Sequence, residues 1–209
     1  MIPTRKEIEN ALKIRHTCEV QYKLAKANVA IAGLGGLGSN VAFFLARAGV
    51  GNLQLIDYDK VDLTNLNRQQ YRICDLGQYK TEALKKQLLE INPYLNIRID
   101  TIMVDQENIK MLLEKAEVIC EAFDVPEHKA MLVNKVLQLY PEKYLVAASG
   151  MAGWGASNDI ITRQIGRRFY LCGDGTSSAE NQSLMAPRVG ICAGHEANLI
   201  LELLLKQHE

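Results

Sequence analysis

Five charged side chains stand where an apolar run gives way to a polar one, or just inside a helical pattern: Asp57, Asp59, Arg68, Lys80 and Asp124. Acids at such places suit ribose hydroxyls or a metal ion. Asn65 and Arg68 supply hydrogen-bond donors of the kind phosphate oxygens accept, and Lys80 adds a point charge early in the next helix. Ahead of them, Val29-Ala30-Ile31-Ala32 runs directly into Gly33-Leu34-Gly35-Gly36-Leu37-Gly38-Ser39. Gly33, Gly35 and Gly38 have the G-x-G-x-x-G spacing. The first makes the turn, the second lets a phosphate approach the backbone, and the third lets helix and strand pack closely. The helix that follows presents free N–H groups to an anion. Roughly 20 residues on, the strand Leu53-Gln54-Leu55-Ile56 ends in Asp57. The unit reads as a nucleotide-binding βαβ, and the glycines alone do not choose the nucleotide.

Each of these residues also has a plainer use. Asp59 and Asp62 suit turns and helix caps, and Asp124 suits an N-cap two residues ahead of Pro126. Lys80 in a first helical turn is electrostatically disfavoured, which argues for a bound group near it.

The elements that position these residues alternate. A leading helix is predicted over 4–26 within a lead segment of 1–27. The glycine-loop strand and helix follow, then the Asp57 strand, and a helix from Gly77 to Glu90 stopped by Asn92-Pro93. Asn96 to Met103 reads as a strand, Gln106 to Lys115 as a helix, and Glu117 to Phe123 as a buried strand that delivers Asp124. Pro126 to Tyr140 is a helix, Tyr144 to Ala148 a strand, and Ile160 to Ile165 with Arg168 to Leu171 a hairpin. Residues 173–186 read as a mobile loop before a closing helix, Pro187 to Gln207. This order predicts an α/β fold: a Rossmann-like three-layer αβα arrangement with a mainly parallel sheet, extended by antiparallel strands, in one domain over 1–209. In such a sheet ligands bind beyond the carboxyl ends of the strands.

Composition narrows the function. The 24 basic and 24 acidic residues balance, so no overall field favours nucleic acid or an anionic membrane. No apolar stretch spans a bilayer and the N-terminus has no signal-like core, so a cytoplasmic chain without a membrane partner is expected. The five cysteines form no C-x-x-C pair, which argues against disulfides and against a tetrathiolate zinc site. Cys120 and Cys192 read as core, and Cys172, before Gly173-Asp174-Gly175, as the thiol with an exposed setting. His16, His128, His195 and His208 show no ligand spacing.

Four stretches in order resemble the ThiF/MoeB/HesA family, bacterial relatives of ubiquitin-activating enzymes. They are Gly33 to Ser39, Ile56 to Asp62, Thr64-Asn65-Leu66-Asn67-Arg68-Gln69, and Gly77-Gln78-Tyr79-Lys80. Glu121 to Asp124 and Met185-Ala186-Pro187 fall where that family has counterparts, and the likeness is strongest to its short ThiF members of thiamine biosynthesis. The resemblance implies ATP-dependent adenylation of the C-terminal glycine of a small ubiquitin-like sulfur carrier, ThiS-like, by a homodimer. It implies that Gly33, Gly35, Gly36, Gly38, Asp57, Asp59, Asn65, Arg68 and Lys80 bind ATP. Arg68, Lys80 and Asp124 would be catalytic, with Asp124 binding Mg²⁺. Arg15 would act from the partner subunit, with Arg5 as second choice, although the family's arginine string is missing there. The zinc-binding pairs of the family are absent, and so is a cysteine in the 173–186 loop, so the expected metal is magnesium without structural zinc. Two other readings stand beside this one. A dinucleotide-dependent oxidoreductase is supported by the glycine spacing and Asp57 but lacks a substrate domain. A non-catalytic partner subunit is opposed by the joint presence of Asp57, Arg68, Lys80 and Asp124.

Overall fold

The computed structural model describes residues 2–179 and 181–206. Seven strands form one sheet in the order β3-β2-β1-β4-β5-β7-β6. They are β1 (Asn28–Ala32), β2 (Asn52–Ile56), β3 (Asn96–Asp100), β4 (Val118–Glu121), β5 (Tyr144–Ala148), β6 (Ile161–Gln164) and β7 (Phe169–Gly173). All neighbours pair in parallel except β6, which runs antiparallel to β7 at the edge. The expected hairpin is therefore present, but only β6 reverses direction, because β7 pairs in parallel with β5.

Side-chain alternation divides each central strand between two apolar layers. Val29 and Ile31 of β1, with Val118 and Cys120 of β4, enter one layer. That layer is shared with α2 (Cys18–Lys26), α3 (Gly36–Ala48), α4 (Lys80–Ile91) and α7 (Ala186–Lys206). Ala30, Ala32 and Ile119 enter the other, against α5 (Ile109–Leu112) and α6 (Pro126–Leu139). Strands buried on both faces are what a parallel sheet requires, and the three layers follow.

Several boundaries differ from those read in the sequence; α4, for one, opens at Lys80 and not at Gly77. The leading helix is two helices, α1 (Arg5–Arg15) and α2, because the Thr17 side chain caps the second by accepting the Val20 N–H at 3.1 Å. The helix expected over Gln106 to Lys115 reduces to α5, after Asp105 and Asn108 spend their side chains on local turns. The strand expected to Met103 ends at Asp100. The closing helix is observed to Lys206; Gln207, like His208, lies outside the described residues. Among the described residues no helix is long and apolar enough to cross a membrane.

One acid lies in the core. Glu196 of α7 is fully buried, accepts a long contact from the Cys120 thiol at 3.9 Å through Oε1, and has no partner on Oε2. Burial raises its carboxyl from the usual 4.5 to about 8, with Lys129 opposing and Glu121 adding to the rise. The fold thus prefers the protonated form. That preference stabilises the native state fully below the ordinary carboxylate pKa of 4.5 and is lost as pH rises through about 8. Glu196→Gln should accordingly change little below about pH 4.5 and gain progressively on the wild type as pH rises from there toward 8. Above about pH 8 it should stabilise the protein by on the order of a few kcal/mol, read from urea midpoints across pH.

Candidate functional site

The carboxyl ends of β1, β2, β4 and β5 open into one cavity of about 580 Å³. Its floor is the glycine loop. Gly33 has φ 92°, and a Cβ there would lie 2.6 Å from the Ala122 carbonyl oxygen, so only glycine fits between β1 and β4. A Cβ on Gly38 would lie 1.9 Å from the Gly33 carbonyl oxygen. Gly38 therefore sits beneath the loop and does not line the cavity, as the close-packing role of the third glycine requires. Gly35 and Gly36 do line it, and Gly35 is the N-cap of α3 with no side-chain cap hydrogen bond, so the helix's first turn at the cavity has no side-chain acceptor. Gly38→Ala should cost about 1–3 kcal/mol of overpacking and weaken anion binding at the loop. Urea denaturation and nucleotide titration would check both effects.

Asp57 braces this loop from β2. Its Oδ2 accepts the Leu34 N–H at 2.7 Å and its Oδ1 the Asp59 N–H at 2.8 Å. Burial pushes the carboxyl up, while Lys80 and those two amides pull it down and offset part of the rise. Tyr71 closes the back of the loop by donating to the Leu34 carbonyl at 2.8 Å.

The cations are placed differently from one another. Lys80 opens α4 almost fully buried, and its Nζ pairs with Asp59 Oδ2 at 2.7 Å, while half of the Asp59 side chain remains open to solvent. A lysine in a helix's first turn is thus matched by a carboxylate brought to it by β2. Arg68 donates through Nη1 to the Thr64 carbonyl (3.2 Å) and to Asn67 Oδ1 (2.8 Å). Among the described residues no carboxylate pairs with it. Arg68 lines the cavity. Asn65 also lines the cavity, with Oδ1 committed to the Asp62 N–H at 3.0 Å, so its amide nitrogen is the atom left for a ligand.

Asp124 lies exposed on the cavity wall just past β4. A clip holds the peptide before it. Glu121 Oε1 accepts the Phe123 N–H at 2.7 Å, and Lys129 Nζ bridges Glu121 Oε2 (2.7 Å) and the Phe123 carbonyl (3.0 Å). Among the described residues no group of three or more His, Cys, Asp or Glu is arranged to hold a metal ion. A single carboxylate beside a phosphate site still suits Mg²⁺, which binds through one or two carboxylates together with substrate phosphates and water.

Of the residues read from the sequence, Gly33, Gly35, Gly36, Asp57, Asp59, Asn65, Arg68, Lys80 and Asp124 all meet at this cavity. Gly38 lies below it. Arg15 ends α1, exposed and away from the lining, so any action on this site must come from another chain. Cys172 is a correction: it is buried, its Sγ lies 3.6 Å from the Thr162 hydroxyl, and burial lifts its thiol to about 12. The exposed cysteines are Cys18 and Cys74, and neither lines the cavity. The cavity thus offers cations and amides but no activated thiol.

A model of the ThiF family matches residues 10–209. The chain belongs to the ThiF family. Among curated relatives, the molybdopterin-synthase adenylyltransferase of Haemophilus influenzae is 39% identical over 193 residues, covering 89% of this chain and 78% of that protein. Adenylyltransferase and sulfurtransferase UBA4 of Candida glabrata is 29% identical over 192 residues. That match covers 88% of this ThiF-family chain but only 44% of UBA4, so the chain spans less than half of that relative. Escherichia coli tRNA N6-threonylcarbamoyladenosine dehydratase, TcdA, solved in complex with AMP, shares the fold at TM-score 0.88 and 18% identity, covering 100% of this chain and 99% of that one.

Sequence reasoning left His128, Lys129 and Glu121 without a role, and it passed over Asp174 and Arg188. His128 and Lys129 line the cavity, and Glu121 and Asp174 brace its walls. The signal for Arg188 and Glu196 was present: each is a charge among the buried positions of the apolar closing helix.

Proposed function

We propose that this chain adenylates the C-terminal carboxylate of a small ubiquitin-like sulfur carrier at the expense of ATP. The observation that carries the reading is Arg68, a guanidinium with no carboxylate partner among the described residues, at a cavity floored by a glycine loop and a helix N-terminus and also lined by Lys80. A carrier carboxylate is already ionised at neutral pH, so attack on the α-phosphorus needs no general base. One carboxylate oxygen forms the new P–O bond, the bond from the α-phosphorus to the bridging oxygen breaks, and pyrophosphate leaves with that electron pair. What the site must supply is neutralisation of charge on the α-phosphate and on the departing pyrophosphate, the contribution that usually dominates catalysis.

In this reading Asp57 and Asp59 face the ribose side, and Asn65, Arg68 and Lys80 contact phosphates over Gly35 and Gly36. Asp124 would hold Mg²⁺, which supplies charge neutralisation on the phosphates. The lack of an activated thiol in the cavity supports a chemistry that stops at the acyl-adenylate. The chain acts as a cytoplasmic homodimer, with Arg15 reaching the neighbouring subunit's site. Supporting that arrangement, Ile14 is 81% exposed and Tyr22 63% exposed on the two leading helices, apolar surface that a second subunit would cover.

The carrier we favour is ThiS-like, in thiazole synthesis, on the resemblance of the four motifs to short ThiF proteins. The Haemophilus influenzae relative is named for molybdopterin synthase, so the test has two arms. Carrier, ATP and Mg²⁺ are incubated with the protein, and intact mass is measured for a ThiS-type and a molybdopterin-type carrier. Gain of one adenylyl group on the ThiS-type carrier is the expected result. Gain on the molybdopterin-type carrier alone reassigns the pathway, and gain on neither removes the reading.

A further inference from the structure

The half of the cavity beyond β4 is built unlike the half that faces Arg68. Its lining comes from the chain just after β5 and β7, including Ser149, Gly150, Ala152, Gly175, Thr176 and Ser177. None of these carries a charge. The charge lies behind them, in a buried ion pair between Asp174 and Arg188, whose side chains are 9% and 6% exposed.

Asp174 organises both segments. Its Oδ1 accepts the backbone N–H of Thr176 at 2.7 Å and of Ser177 at 2.8 Å, and the Thr176 hydroxyl at 3.2 Å. Its Oδ2 accepts from Arg188 Nη2. Gly150 packs so closely on this carboxylate that a Cβ would lie 2.1 Å from Oδ1. From the third residue of α7, Arg188 also donates through Nη1 to the Ala156 carbonyl at 2.7 Å, so one guanidinium ties both loops to the helix. Ser177 closes the arrangement by accepting the Ala152 N–H at 3.0 Å. Burial pushes the Asp174 carboxyl up, but the hydrogen bonds from Ser177, Thr176 and Arg188 outweigh it and hold the group well below the usual carboxylate range. The stretch expected as a mobile loop is therefore pinned at its start.

We propose that Asp174 and Arg188 are positioning residues for the acceptor half of the site. They hold the 149–152 and 174–177 segments together as one hydrogen-bonded wall, with Asp174 N–H donating to the Gly150 carbonyl at 2.9 Å and Gly175 N–H to the Ser149 carbonyl at 3.0 Å; its cavity lining is uncharged and, apart from Met151, small, a surface suited to an extended peptide terminus without bulky side chains. The nucleotide half, braced by Asp57 and Tyr71, does not depend on them. The assignment of this wall to the acceptor rests on the adenylation reading; the clamp itself does not.

The test uses Asp174→Asn, which keeps side-chain volume, together with Arg188→Met and Arg188→Lys. Amide hydrogen exchange is followed across the chain, and steady-state kinetics are measured with ATP and carrier varied separately. In Asp174→Asn and Arg188→Met the Thr176 and Ser177 amides should exchange at least about tenfold faster, with the glycine-loop amides unchanged. Arg188→Lys should keep much of that protection, because the counter-charge for Asp174 remains although the fork to Ala156 is lost. KM for the carrier should rise roughly tenfold while KM for ATP stays within about twofold, the split expected of a residue that shapes one substrate's path. Unchanged exchange at Thr176 and Ser177 would overturn the clamp, whatever reaction the protein runs. Faster exchange with KM for ATP rising alongside KM for carrier would overturn the acceptor assignment. If wild-type protein adenylates no carrier, the functional reading falls and the exchange data still decide the clamp.

Discussion

Arg68→Ala is expected to lower carrier-dependent ATP–pyrophosphate exchange by roughly two to three decades, the loss typical of one preorganised donor at a developing charge. ATP affinity should change far less. Asp57 with the glycine loop, the N-terminus of α3 and Lys80 all remain in place, and Arg68 itself contributes no ion pair to the resting fold. Loss of kcat with ATP binding retained marks an interaction made chiefly in the transition state. Lysine should restore only part of the rate, since it offers a point charge where the guanidinium offers a planar fork. Stability should be nearly unaffected, because among the described residues the side chain makes two hydrogen bonds, to Thr64 and Asn67. Wild-type exchange in Arg68→Ala with the cognate carrier present would mean that the phosphates lie elsewhere.

Lys80→Ala is expected to act on both binding and rate. Its Nζ is buried and paired with Asp59 at 2.7 Å, and Asp59 is in turn joined to Asp57 through a backbone hydrogen bond. Removing the ammonium leaves two neighbouring carboxylates without the cation that opposes the upward push on Asp57. Asp57 is then driven toward protonation, which weakens its grip on the Leu34 amide and loosens the glycine loop. ATP affinity should fall about tenfold or more, and exchange by roughly two to three decades. Part of the affinity should return as pH is raised, because a higher Asp57 pKa moves the ionised form to higher pH. Isothermal titration across pH would check this. A Lys80→Ala protein that binds ATP as tightly as wild type at neutral pH would contradict the coupling.

Much of this site could be read in the sequence because its signals are local. The glycine spacing, the acids that follow β2 and β4, and the polar segment between Asp57 and Arg68 are all set within a few residues. A parallel sheet then gathers its strand ends at one edge. Residues that act through another element were harder to see. Asp174 reads as an ordinary turn residue until Arg188, on the closing helix, is folded against it. Lys129 reads as a surface lysine until Glu121 at the end of β4 pairs with it from below. Cys172 misled for the same reason: its flanking glycines signal a turn, yet it lies within β7, under α7, where tertiary packing rather than local composition sets exposure. The break between α1 and α2 depended on a single cap at Thr17, too weak a signal against a continuous helical pattern.

In the proposed function the cavity joins ATP to a carrier's terminal carboxylate. ATP–pyrophosphate exchange tests it most directly when measured with a ThiS-type carrier and with the same carrier lacking its C-terminal glycine. Exchange that requires the intact carrier and vanishes with the truncated one is the predicted result. Exchange that proceeds equally with both, or an ATP-binding protein that exchanges with neither a ThiS-type nor a molybdopterin-type carrier, would contradict it.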